Sequence, residues 1–125
     1  MIATDHAPHS WEEKASEFIY APFGITGLET AMGLTQTQLV NEGVIDLNQM
    51  IEKFAINPYH ILRLPIPQVA KGQLANLTIF DPEEEWIFRE EASLSKSKNS
   101  PFIGWTFKGK PFAVINRNKL FYSQL

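Results

Sequence analysis

The chain opens with an apolar stretch that ends in acid, base and ligand groups, Ile2-Ala3-Thr4-Asp5-His6-Ala7-Pro8-His9. The apolar residues before Asp5 are typical of the end of a buried strand. A carboxylate and two imidazoles follow, and Pro8 stiffens the backbone between the imidazoles. Asp and His serve as zinc ligands and acid/base groups, so the stretch is a candidate for chemistry. Without further context, Asp5 is better interpreted as a loop or N-cap carboxylate, and His9 as an exposed loop histidine.

The composition narrows the class of protein. At 125 residues the chain has the length of one domain, and 44% apolar residues are enough for a core. A formal net charge of -3 argues against nucleic acid or an acidic membrane surface as a partner. The chain has no cysteine, which excludes a disulfide framework or thiolate metal site and fits a cytoplasmic protein. No apolar run reaches the length of a membrane span, so no membrane contact is expected.

The first half of the chain predicts a long loop followed by three helices. Residues 5–25 carry little periodicity, and long loops inside domains are often functional. Three helix starts are then predicted by their capping residues, with Gly43 ending the first helix and Pro65 following the third. The capping pairs are Thr26 with Glu29, Asp46 with Gln49, and Asn57 with Pro58. The predicted buried face of the second helix is Leu47, Met50, Ile51 and Phe54.

The second half predicts a small β lobe, because short aromatic and β-branched runs alternate with turn residues. The runs are residues 77–80, 86–88, 105–107, 112–115 and 120–122. The turns between them are predicted at Asp81-Pro82, Lys108-Gly109-Lys110 and Asn116-Arg117-Asn118. The predicted aromatic core is Trp86, Phe88, Trp105, Phe107, Phe112 and Phe121. Residues 93–100 contain two lysines among serines and are expected to form a solvated loop over the lobe.

Several segments, in order, resemble dihydroorotases of the amidohydrolase superfamily. Residues 2–9 are similar to the last metal-site motif of that family, and residues 21–30, Ala-Pro-Phe-Gly-Ile-Thr-Gly-Leu-Glu-Thr, to the stretch that follows it. Asn57-Pro58, Lys71-Gly72 and residues 75–82 resemble later family segments. Residues 97–105, Ser-Lys-Asn-Ser-Pro-Phe-Ile-Gly-Trp, resemble the C-terminal signature. Hydantoinases and allantoinases share the fold but lack this His-after-Pro arrangement.

The resemblance implies an α/β fold: the C-terminal part of a (β/α)8 TIM-barrel amidohydrolase, followed by a small β-sandwich lobe. Residues 1–64 would be the C-terminal end of the barrel domain, with strand 8, the active-site loop and helices. Residues 65–125 would be the C-terminal half of the β-sandwich lobe. The early His-x-His, the carboxylated Lys and the two further His ligands of a complete family member have no counterpart in this chain.

The resemblance also implies roles for individual residues. Asp5 matches the family's catalytic Asp, which binds a metal and accepts a proton as the amide carbonyl is attacked. His9 matches the histidine that contacts the substrate carboxylate. Phe23 and Gly24 match a loop whose backbone touches the substrate ring, although an ordinary turn after Pro22 explains them nearly as well. His6 is expected to be structural and His60 to lie on the surface.

The implied function is the interconversion of N-carbamoyl-L-aspartate and L-dihydroorotate, small-molecule substrates of pyrimidine synthesis, with Zn²⁺ in the complete enzyme. The isolated chain is expected to be inactive and to hold no zinc, because one Asp and at most one convergent His are too few ligands. It is expected to form a homo-oligomer or to need a missing N-terminal portion. One alternative is a non-catalytic dihydroorotase-like structural or interaction protein, for example a scaffold for aspartate carbamoyltransferase. Another is one half of a split enzyme.

Overall fold

In a computed structural model that describes all 125 residues, helices from the first half of the chain pack against an antiparallel sheet from the second half. The helices are α1 (Trp11–Lys14), α2 (Ala31–Thr35), α3 (Leu47–Ile51) and α4 (Asn57–Leu62). Two π-helical segments, Gln36–Val40 and Glu52–Ile56, prolong α2 and α3, and Glu90–Ala92 forms a 3₁₀ turn. The strands are β1 (Asn76–Ile87), β2 (Thr106–Asn116) and β3 (Lys119–Tyr122).

The sheet has the order β1-β2-β3, with both neighbouring pairs antiparallel. A two-residue turn joins β2 to β3, and its residues Arg117 and Asn118 have φ angles of 49° and 62°. Positive φ at both central residues is the geometry that matches the twist of hairpin strands. The turn predicted at Asn116-Arg117-Asn118 is therefore confirmed.

The other two predicted turns of the lobe are wrong, because five predicted runs merge into three strands. Asp81-Pro82 lies inside β1 and Lys108-Gly109-Lys110 inside β2, where the pairing register shifts instead of reversing direction. The shifts fall between Ile79 and Phe80 and between Asp81 and Glu85. Pro82 is tolerated because β1 is an edge strand, and bulges and edges are the places where a strand accommodates proline.

The core forms where α2 meets the sheet. Trp86, Phe88 and Phe107 are buried together, and Gly33 of α2 lies directly on them. A Cβ at Gly33 would lie 2.8 Å from Trp86 Cζ2 and 2.9 Å from Phe107 Cβ, so the missing side chain allows the close approach. The bulge glycine Gly109 admits the helix in the same way, since its Cβ would lie 2.7 Å from that of Gln36.

Half of the predicted aromatic core is confirmed and half is wrong. Trp105, Phe112 and Phe121 remain 45%, 58% and 55% exposed. Phe112 neighbours the buried Ala113, so alternation along the strand directs its side chain to the opposite face. There it packs edge-on against Tyr122, with ring centroids 5.7 Å apart.

Some of the predicted helix ends are confirmed and others are shifted. Asp46 and Gln49 form the predicted capping box, with Gln49 N–H donating to Asp46 Oδ1 at 2.8 Å. Gly43 has φ +70° and ends the first helical segment, as predicted. Helix α4 includes Asn57 itself, one residue earlier than predicted, and ends at Leu62, before Pro65. Of the predicted buried face of the second helix, Met50 is fully buried whereas Ile51 is 41% exposed.

The capping box predicted for Thr26 and Glu29 is wrong. Helix α2 begins four residues later than predicted, at Ala31, and its N-cap is Thr30. Thr26 is buried and its N–H donates to the Asn99 carbonyl at 3.2 Å. The Glu29 carboxylate accepts from residues of the 93–100 loop. Long-range partners thus replace the local pairing that the sequence suggested.

Residues 1–4 form no strand, so the prediction of a buried strand end there is wrong for this chain. Met1 is 58% exposed, and Ile2 N–H donates to the Lys53 carbonyl at 3.1 Å. A strand needs a neighbouring strand to pair with its backbone groups, and the chain offers only an isolated bridge between His6 and Ile25. No helix is both long and apolar enough to cross a membrane.

Candidate functional site

Three loops that are far apart in sequence meet around a cleft of about 1110 Å³. They are residues 5–10, residues 22–26 and residues 95–101. The first two are joined by a hydrogen bond of 3.0 Å from Ala7 N–H to the Ile25 carbonyl. The residues that line the cleft include His9, Lys14 and Lys96. Of the predicted site residues, His9 lines this concave surface.

His9 is fixed from several directions. Its Nδ1 lies 3.5 Å from Glu13 Oε2, its N–H donates to Asn99 Oδ1 at 3.3 Å, and its carbonyl accepts from the Ser97 hydroxyl. The side chain is 28% exposed, so one part of the ring still reaches solvent. A carboxylate at Nδ1 favours a proton there and leaves Nε2 for a ligand, as a donor when the ring is protonated.

Glu13 owes its position to a capping box that the sequence analysis missed. Ser10 caps α1, Ser10 N–H donates to Glu13 Oε2 at 2.9 Å, and Glu13 N–H donates to Ser10 Oγ at 3.3 Å. The hydrogen bond from the Ser10 N–H is the main cause that holds the pKa of the Glu13 carboxyl below its usual value. Desolvation raises this pKa, whereas the Ser10 hydroxyl and His9 lower it further. The Ser-x-x-Glu spacing was the available signal.

Gly24 lies against the His9 loop in a conformation that requires glycine. Its φ is +112°, and a Cβ there would lie 2.7 Å from Ala7 Cβ and 3.2 Å from His9 Nε2. Its carbonyl accepts from Lys14 Nζ at 3.0 Å and from Asn99 Nδ2 at 3.2 Å. The structure thus brings together His9 and Gly24, two residues predicted to contact substrate.

Phe23 does not join them through its side chain, which is 97% exposed. The role predicted for this residue concerned its backbone, and that role stays a prediction. The neighbouring Pro22 carbonyl accepts from Lys14 Nζ at 2.9 Å. Lys14 therefore fixes the turn that carries Phe23 and Gly24.

Asp5 lies at the bend that leads into the His9 loop, with φ +45°. Asp is one of the few side chains that adopt this left-handed region with ease. The residue is exposed, and no hydrogen bond engages its carboxylate. The carboxylate is thus available to a metal ion or a water molecule.

The residues of this chain do not make up a zinc site by themselves. No group of three or more His, Cys, Asp or Glu side chains converges in a geometry that could hold a metal ion. His6 is already engaged, because its Nδ1 accepts from the N–H groups of Gly27 and Leu28 at 3.1 and 3.3 Å. This is the structural role expected of His6, and His60 is exposed as expected. A catalytic zinc site takes three protein ligands, and the side chains of this chain bring no such group together.

The loop of residues 93–100 is not the solvated segment that the sequence predicted. Ser93 is buried and donates its hydroxyl to Glu29 Oε1 at 3.0 Å, and Ser95 N–H donates to the same oxygen at 3.1 Å. Burial raises the pKa of the Glu29 carboxyl. Opposing effects outweigh burial and leave the pKa below its usual value; they are hydrogen bonds from its own backbone, from Ser95 and from Ser93, and the nearby His6. The match to the C-terminal signature was the only sequence signal for this packing.

Comparison with known proteins supports the family resemblance. No protein-family model matches the chain. The chain is 49% identical over 119 residues to a dihydroorotase of Chlorobaculum tepidum. The alignment covers 95% of this chain and 27% of that protein. The chain is 46% identical to dihydroorotases of Clostridioides difficile and Bacillus subtilis, over 98% and 99% of this chain and 29% of each of those proteins. The resemblance to dihydroorotases is confirmed, and the chain spans just over a quarter of these relatives' length.

A solved structure of a D-hydantoinase superposes on the chain with a TM-score of 0.76 and 28% sequence identity. The superposition covers 91% of this chain and 25% of the hydantoinase chain. The predicted α/β class is thereby confirmed.

Proposed function

We propose that this chain is the C-terminal part of a dihydroorotase, the enzyme that interconverts N-carbamoyl-L-aspartate and L-dihydroorotate in pyrimidine synthesis. The observation that carries the proposal is the packing of Gly24 against His9, which lines the cleft, together with the hydrogen-bond-free carboxylate of Asp5. The identity of 39% to 49% with curated dihydroorotases supports it.

In the complete protein, residues 1–64 would end a (β/α)8 barrel and residues 65–125 would form half of a β-sandwich lobe. Asp5 would be one zinc ligand, and the remaining ligands would come from outside this chain. Zinc would supply Lewis acidity at the amide carbonyl. The exposed, hydrogen-bond-free carboxylate of Asp5 is chemically suited to that role.

The reaction needs a base and an anchor for the substrate carboxylate, and this chain offers both. The Asp5 carboxylate accepts the proton of the attacking water and returns it to the leaving ring nitrogen. His9 donates from Nε2 to the substrate carboxylate while Glu13 holds Nδ1 at 3.5 Å. The Gly24 backbone, which lies against Ala7 and His9, provides the surface against which the substrate ring lies.

The apolar surface of the chain supports the further proposal that it does not stand alone. A groove of about 580 Å³ runs between the α3 region and β1, with Met50, Phe54 and Leu77 in its lining. Ile66, Val69 and Leu74 along it are 38%, 85% and 53% exposed. Apolar patches of this kind on soluble proteins are usually covered by another surface. We expect a second copy or the rest of the enzyme to cover it.

The test of the proposed function is substitution of Asp5 in the complete enzyme that contains this chain. Asp5→Asn should abolish dihydroorotate hydrolysis while leaving the fold largely intact, because the side chain makes no hydrogen bond within this chain. His9→Ala should raise KM by roughly 10- to 150-fold, since a charge-assisted hydrogen bond is worth about 1.5–3 kcal/mol. A near-normal kcat in Asp5→Asn would remove Asp5 from the mechanism.

A further inference from the structure

We infer that Asn99 is a positioning residue that fixes His9 and Gly24 relative to each other, an inference that rests on the proposed function. Asn99 belongs to the 93–100 loop, far along the chain from both residues. Its side chain lies between their two loops and bonds to each. It would therefore act on the substrate through these two residues.

Both polar atoms of the Asn99 side-chain amide, Oδ1 and Nδ2, make hydrogen bonds. Oδ1 accepts from His9 N–H at 3.3 Å and from the Ser97 hydroxyl at 2.7 Å. Nδ2 donates to the Gly24 carbonyl at 3.2 Å. The single Ser97 hydroxyl proton is shared between Asn99 Oδ1 and the His9 carbonyl, so both backbone polar groups of His9 contact the same loop.

The chemistry of the site suits an amide at this position. The His9 side needs an acceptor and the Gly24 side needs a donor, and a carboxamide offers these on two separate atoms of one short side chain. Aspartate would keep the acceptor but would place a carboxylate oxygen against the Gly24 carbonyl. Alanine would leave both backbone groups without this partner.

Lys14 holds the Gly24 carbonyl from a second direction, because its Nζ donates to Pro22 and Gly24 carbonyls at 2.9 and 3.0 Å. Its contribution is separable from that of Asn99, since Lys14 makes no hydrogen bond to His9. Loss of Lys14 should loosen the Gly24 loop alone, whereas loss of Asn99 should loosen both loops.

The test compares Asn99→Ala, Asn99→Asp and Lys14→Met in the complete enzyme, with Asn48→Ala and Lys71→Met as exposed controls of matched chemistry. Asn99→Ala should raise KM for dihydroorotate roughly tenfold or more, with kcat changed far less, as expected for a lost hydrogen bond in the binding loops. Amide hydrogen exchange should accelerate at His9 in Asn99→Ala but not in Asn99→Asp, which keeps the acceptor. Lys14→Met should leave exchange at His9 unchanged.

The readouts separate this inference from the proposed function. A wild-type enzyme without dihydroorotate turnover would overturn the proposed function, while faster exchange at His9 in Asn99→Ala would still support the loop positioning. An active wild type with unchanged KM in Asn99→Ala would overturn the inference, even if the variant melts at a lower temperature. If Asn99→Ala does not fold, Asn99→Asp decides: unchanged KM together with unchanged exchange throughout the 22–26 loop would overturn it.

Discussion

Replacement of Gly24 by alanine should destabilise the loop that the candidate site depends on. The residue has φ +112°, and its Cβ would lie 2.7 Å from Ala7 Cβ and 2.9 Å from the Ala7 carbonyl oxygen. A left-handed conformation costs a non-glycine residue about 1–2 kcal/mol. Overpacking against neighbours that cannot withdraw adds about 1–3 kcal/mol. We therefore expect Gly24→Ala to lower the free energy of unfolding by about 2–5 kcal/mol, the sum of these two costs.

Gly43→Ala is the matched control. Gly43 also has positive φ, +70°, but a Cβ there would meet nothing within 4 Å. It should therefore lose only the conformational part, about 1–2 kcal/mol. Urea unfolding followed by circular dichroism measures both, and the NMR signals of the His9 ring should shift in Gly24→Ala alone. Equal destabilisation of the two variants, with an unmoved His9 ring, would refute the close packing of Gly24 on Ala7 and His9.

Three further outcomes are expected. The isolated chain should retain no stoichiometric zinc after dialysis, because catalytic sites take three protein ligands; elemental analysis that finds one zinc per chain would contradict this. The Glu29 carboxyl has a lowered pKa, so its contribution to stability is present above the ordinary Glu pKa of about 4.3 and is lost as pH falls through the folded pKa. Glu29→Gln should therefore flatten the loss of stability below about pH 4.3, and an unchanged pH profile would argue against the bonds from Ser93 and Ser95. Light scattering across concentrations should show self-association through the apolar groove, and a stable monomer would contradict that expectation.

Local signals in the sequence predicted the elements that are stabilised locally. The capping box of Asp46 and Gln49 and the stop at Gly43 depend on residues within one turn of helix. The hairpin turn at Arg117 and Asn118 depends on two residues that adopt positive φ. In each case, the partners that satisfy the backbone are close in sequence, so the pattern is sufficient.

Predictions failed where distant residues competed for the same groups. Glu29 looks like the partner of Thr26 but binds Ser93 and Ser95 instead. Residues 93–100 look solvated, yet they pack on the loops that carry His9 and Gly24. Single-sequence patterns contain no information about such partners, because the bonds join residues 64 to 90 positions apart.

In the candidate site, too, residues in a local sequence motif were predicted, whereas a residue with distant partners, Asn99, was missed. The motif at residues 4–9 drew attention to Asp5 and His9, and the structure places His9 next to Gly24. Glu13, Lys14 and Asn99, which hold these residues in place, were missed. Of the three, only Glu13 had a local signal, the Ser10 capping box. The roles of Asp5, His9, Phe23 and Gly24 toward substrate stay predictions.

The bond between His9 and Asn99 also sets an order of events during synthesis. Ninety residues separate the two partners, so the loop that carries His9 leaves the ribosome long before the side chain that fixes it. At roughly 5–20 residues per second, that delay is on the order of 5–18 seconds. Throughout it, the Gly24 carbonyl has Lys14 as a partner, but the His9 N–H has none from this loop. The bond that fixes the His9 loop to Asn99 therefore forms only after residue 99 has left the ribosome, and a nascent chain that stops before it lacks this bond.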